Sequence, residues 1–153
     1  MGILKKLLAV ALINLMAATA AVAGGTEQEA RAMLDRGINY IKVHGAEAAF
    51  KAFSDPSNKE FHDRDLYLYA YDFKGFNIAH GSNVKMIGKD FSELKDTGGK
   101  LIIQDMIGIA KTKGTGTTEY MWTNPETKKL QAKLGFVARI PGQDAFLGTG
   151  IYK

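Results

Sequence analysis

Cysteine is missing from all 153 residues, tryptophan occurs once and proline three times. Without thiols there are no disulfides, no thiolate metal site, no cysteine nucleophile and no Cys-x-x-Cys-His run for covalent haem. The chain also lacks any block of like charge. Twenty Lys and Arg against sixteen Asp and Glu give a formal net charge of +4, and the lysines are scattered. Nucleic-acid binding is therefore not expected. His44, His62 and His80 show no metal-ligand spacing, and Asp72, Asp90 and Asp96 follow no EF-hand pattern. No serine stands in a nucleophile elbow. "KGTGT" at 113–117 precedes a strand instead of opening a helix, so it does not read as a phosphate loop. These gaps point away from an enzyme, a metal site or a cofactor.

What is present begins with a leader. Lys5 and Lys6, the apolar stretch Leu7–Ala18 and the small-x-small run Ala21-Val22-Ala23 have the layout of a secretory signal peptide cleaved after Ala23. A retained anchor is the alternative, but the stretch is alanine-rich and carries Asn14 and Thr19, whereas a spanning helix needs about 20 strongly apolar residues. Residues 24–153 are then one exported domain, with a formal charge of +2 once Lys5 and Lys6 are removed. A hydrophobic fraction of 46% suits a packed core.

Hydrophobic periodicity assigns the elements. Ala30, Met33, Leu34, Gly37, Ile38 and Ile41 recur at three- and four-residue steps, predicting a long helix. Thr26 and Glu29 supply its capping box. Gly45 marks a break or bend, a second helical run follows, and Asp55-Pro56 stops it. The period then becomes two. "DLYLYAYDFKGFNIAHG" predicts a hairpin turning at Gly75, with Tyr67, Tyr69 and Tyr71 on one face. A short, largely buried helix is expected from about Lys100 to Lys111. Three strands follow, roughly Thr115–Thr123, Leu130–Ile140 and Ala145–Tyr152. With no regular strand–helix–strand units, the expected fold is α+β: a five-stranded antiparallel sheet with a long N-terminal helix.

The hairpin at 117–133, "TTEYMWTNPETKKLQAK", holds the chemistry. A four-residue loop Asn124–Thr127 opposes Tyr120 to Gln131 and Thr118 to Lys133. Thr118, Tyr120, Trp122, Gln131 and Lys133 then share a face, with Lys133 diagonal to Tyr120. Two readings stay open on these residues alone. The aromatic face packs a helix while Lys133 snorkels to water, or the face lines an apolar hollow with one cation at its base. His80, at a strand end, either caps a turn or donates a proton to a ligand.

Several ordered motifs resemble a known family. Asp65-Leu66-Tyr67, "DFKGFNIAHG", Gly88-Lys89-Asp90, "KDTGGK", "EYMWTNP" with Lys133 downstream, and the closing "GTGIY" resemble the single Cache domain of the second type, an extracytoplasmic sensor module of bacterial chemoreceptors and histidine kinases. The resemblance spans about residues 25–152. It implies a PAS-like sheet and a pocket between sheet and loops for a short carboxylate such as acetate, propionate, pyruvate or lactate. The implied ligand-binding residues are Lys133, Tyr120, Trp122, His80 and Tyr69. It further implies a periplasmic location and a role in signal transduction or chemotaxis through a membrane-bound signalling partner, with a homodimer left open. Receptors of this type continue past "GIY" into a transmembrane helix, whereas this chain stops at Lys153, so a stand-alone module is expected. Phe146 and Gly135 stand where the family often has larger or polar side chains, which is expected to reshape or enlarge the cavity. The competing expectation is an accessory module without a ligand, docking through an exposed apolar stripe on residues 30–53.

Overall fold

The computed structural model describes residues 23–153, so the leader reading lies, but for Ala23, outside the described residues. Helix α1 (Glu27–His44) starts at the predicted capping box: Thr26 accepts from Glu29 N, and Glu29 accepts from Thr26 N. Gly45, at φ 81°, breaks the chain into α2 (Ala46–Phe53). A two-stranded ribbon follows, β1 (His62–Asp63) with β2 (Leu66–Tyr67). The main sheet contains β3 (Tyr69–Asp72), β4 (Asn77–His80), β5 (Thr115–Thr123), β6 (Leu130–Arg139) and β7 (Ala145–Tyr152). Helix α3 (Ile102–Thr112) lies between β4 and β5. The sheet order is β4-β3-β7-β6-β5, antiparallel throughout.

Each sheet face is covered by its own helix layer, as strand alternation demands. Ala30, Met33, Leu34 and Ile41 of α1 pack with Phe53, Leu68, Phe136 and Leu147 on one face. Gly37 lets α1 come this close, because a Cβ there would stand 2.7 Å from Leu147 and 2.8 Å from Leu68. On the other face Ile102, Ile103, Met106 and Ile107 of α3 pack on Tyr67, Tyr69, Tyr71, Tyr120, Val137 and Phe146. A register shift between Ala70 and Tyr71 interrupts β3–β4, and the buried Asn77 amide bridges the gap, donating to Ala70 O and Ala79 O.

Two expectations are corrected. The β5–β6 connection is six residues, not four: Asn124 N donates to Lys129 O, Lys128 adopts φ 59°, and Thr123 pairs with Leu130. The register moves by two, which preserves the shared face and places Lys133 directly opposite Tyr120. The apolar docking stripe on residues 30–53 is not formed. The apolar positions of α1 face the sheet, and Val43, 76% exposed, is the only exposed large hydrophobic side chain in that range.

Candidate functional site

The closing "GTGIY" strand makes room for the site. At Gly148, paired with Tyr69, a Cβ would lie 2.3 Å from the Tyr69 ring. At Gly150 it would lie 2.7 Å from Lys133 Cε. These two positions must be bare for Tyr69 and Lys133 to lie flat against the sheet. Of the two effects expected of Gly135, enlargement of the cavity is not seen. The room beside it is taken by Tyr120, whose Cε1 would be 2.9 Å from an added Cβ, so this glycine accommodates a ring and does not enlarge a cavity. Phe146 stacks on Tyr71 with ring centroids 5.7 Å apart.

Strand pairing then sets three side chains in a row. Tyr120 is opposite Lys133, and Lys133 is opposite Tyr152, across β5, β6 and β7. Lys133 is 1% exposed. Its Nζ donates to Tyr67 Oη at 2.9 Å and sits 4.2 Å, 5.3 Å and 4.8 Å from the ring centroids of Tyr67, Tyr69 and Tyr152. Among the described residues it joins no ion pair. The snorkelling reading is thereby removed: this ammonium is enclosed by π faces and one phenol.

The remaining expected residues gather around it. Tyr69 Oη and Tyr120 Oη are 3.1 Å apart, and Trp122 packs edge-on against Tyr120 at 6.2 Å. His80 lies opposite Tyr69 in β3–β4 and stacks on it at 6.2 Å. His80 Nδ1 accepts from Asn83 N at 3.1 Å, so a neutral ring carries its proton on Nε2. Burial, helped by the Lys133 charge, pushes the His80 pKa down to about 3, so the ring is neutral. Burial pushes the Tyr69 and Tyr120 phenols well up. Tyr67 goes the other way. Its burial raises the phenol, but the Lys133 charge and hydrogen bond outweigh that and leave it below its usual value.

The expected apolar hollow with Lys133 at its base is corrected: Lys133 does not line it, and it is small. A slot bounded by Tyr67, Tyr69, His80, Met106, Tyr120 and Trp122 has a volume of only about 10 Å³, space for roughly one water. Lys133 does not border the slot; its ammonium sits against the Tyr67 and Tyr69 rings. Outside lies a cleft of about 450 Å³ between Met86, Asp96, Met121, Trp122, Pro125 and Lys128. His80, Ile102 and Trp122 border both spaces, so they form the partition between them. The cleft's outer wall is the 95–100 turn, pinned to β5 by Asp96 Oδ2 accepting from Met121 N and by Lys100 Nζ donating to Glu119 O.

The residues not anticipated as site members are Tyr67 and Tyr152. Strand alternation puts Tyr67 on this face, but its role as hydrogen-bond partner of Lys133 needs the three-dimensional path of β2. Tyr152 was legible in principle, since pairing β7 with β6 puts it opposite Lys133.

The fold has known relatives. The model of the single Cache domain 2 family matches residues 3–153. The sensor histidine kinase MctS of Rhizobium johnstonii is 34% identical over 89 residues, 58% of this chain but 19% of that kinase. The chain therefore matches only about a fifth of that relative's length. A methyl-accepting chemotaxis protein from Vibrio parahaemolyticus superposes with TM-score 0.71 and 27% identity, covering 82% of this chain and 86% of that one. A Cache chemosensory domain solved to explain its recognition of carboxylic acids shares the fold, with TM-score 0.63, 24% identity and coverage of 82% and 86%. A family match across nearly the whole sequence, on a helix-flanked five-stranded sheet of the same architecture, means that the chain belongs to the single Cache domain 2 family.

Proposed function

We propose that this protein is an exported, periplasmic sensor-type module that captures a short carboxylate at Lys133 and passes the event to a membrane-bound signalling partner. One observation carries the reading: a buried ammonium with a phenol as its hydrogen-bond acceptor and no carboxylate in ion-pair range among the described residues. Enclosing a charge this way is costly unless an anion completes the site. Ammonium carries three donors, so two are left for ligand oxygens. Trp122 Nε1 and His80 Nε2 add neutral donors at the partition, and the aromatic walls suit a short alkyl group.

A carboxylate reaches Lys133 by passing between Trp122 and His80, and the Tyr67 hydroxyl keeps its one N–H of the ammonium. The related carboxylate-recognising Cache domain supports the ligand class. No helix among the described residues is long and apolar enough to cross a membrane, and the leader at 1–23 supports export. The test is titration calorimetry of the protein with acetate, propionate, pyruvate and lactate. At least one binds, and Lys133→Ala abolishes that binding. Heat from none of the four, or full affinity in Lys133→Ala, rejects the assignment.

A further inference from the structure

The hydrogen bonds around Lys133 have a direction that follows from counting protons. Tyr152 Oη donates to Thr123 O at 3.1 Å, which uses its only proton. Its 3.2 Å contact with Tyr67 Oη is therefore one in which Tyr67 donates. Tyr67 has then spent its own proton and offers Lys133 only lone pairs. A one-way chain results: Lys133 Nζ–H to Tyr67 Oη–H to Tyr152 Oη–H to the carbonyl of Thr123, the last residue of β5. Each donor in such a chain polarises the next acceptor.

The chain is held at Tyr67 and at Thr123. Tyr67 is held by Thr149 Oγ1 donating to its carbonyl at 2.8 Å. Thr123 adjoins a turn in which Asn124 Oδ1 accepts from Glu126 N at 2.9 Å. Tyr152 also lies directly opposite Lys133 in register, its ring 4.8 Å from the ammonium. It does not border the slot.

We propose that Tyr152 is a positioning residue of the anion site: its hydroxyl takes the Tyr67 proton, fixes Tyr67 as a pure acceptor, and thereby pins one N–H of Lys133 so that the other two are left for a carboxylate. The proposal rests on the carboxylate reading of Lys133, and its ligand-free arm is separable from it. Without the Tyr152 hydroxyl, the Tyr67 proton must seek another acceptor and the ammonium loses its fixed anchor. Preorganisation of the cation is lost while the ring beneath it remains.

The experiment is Tyr152→Phe, which removes one oxygen and keeps the ring. Calorimetric titration with acetate, propionate, pyruvate and lactate should show about fivefold weaker binding of whichever acid wild type takes, the effect of one neutral hydrogen bond, with the far-UV circular dichroism spectrum unchanged. In parallel, the ammonium 1H–15N signal of Lys133 is recorded in ligand-free protein. It should shift and exchange faster in Tyr152→Phe than in wild type. Equal affinities together with an unchanged ammonium signal overturn the relay. If wild type binds none of the acids, the carboxylate reading falls, and the ammonium signal alone decides whether Tyr152 positions Lys133.

Discussion

Replacing Lys133 by methionine should make the ligand-free protein more stable while removing its ligand. The side chain is buried and held by one charge-assisted hydrogen bond and three ring faces. The hydrogen bond contributes about 1.5–3 kcal/mol, and the desolvated cation–π contacts contribute about 2 kcal/mol. Against them stands the cost of taking the ammonium out of water with no counter-ion, several kcal/mol even after relaxation. Exchanging buried charges for apolar groups of similar volume is commonly neutral or stabilising by about 1–4 kcal/mol. Methionine also leaves the Tyr67 proton satisfied by Tyr152. A gain of about 1–3 kcal/mol is expected, raising Tm by roughly 3–10 °C. Differential scanning calorimetry with and without saturating propionate reads both effects. Wild type melts higher when the ligand is added, and Lys133→Met melts higher from the outset and ignores it. A variant that melts below wild type without ligand, yet still gains Tm from propionate, refutes the reasoning.

Three other outcomes are expected. Because the folded His80 pKa is depressed to about 3, the unfolded state binds the extra proton below about pH 6.5. Stability should then fall by up to about 1.4 kcal/mol per pH unit on acidification, and urea melts between pH 7 and pH 5 should show a shallower slope for His80→Asn. Gly148→Ala forces a methyl to 2.3 Å from the Tyr69 ring and should cost about 1–3 kcal/mol by overpacking in the same assay. Thr26→Ala removes the capping box of α1 and should cost about 1 kcal/mol, leaving carboxylate affinity unchanged.

The fold was legible where period and punctuation agreed. Strands β5 and β7 and the α1 cap follow from alternation, glycine and the Thr26–Glu29 spacing. The β1–β2 ribbon was not, because two-residue strands such as His62–Asp63 carry no period. The β5–β6 register slipped by two because Lys128, a residue without the usual turn signature, takes the left-handed conformation. Alternation has period two, so that slip left Tyr120, Trp122 and Lys133 on their shared face. The shared face was thus found by parity. The near-closure of the slot was not found, because it depends on how the Tyr67, Tyr69 and Tyr120 rings fill the depth between α3 and the sheet. No strand pattern encodes that packing.

The most direct test is a crystal structure of the protein grown with propionate. The account predicts a carboxylate within hydrogen-bonding distance of Lys133 Nζ, with the Lys133–Tyr67 hydrogen bond kept and Trp122 moved from the partition. Propionate found only in the outer cleft, with no oxygen near Lys133 Nζ, would contradict it.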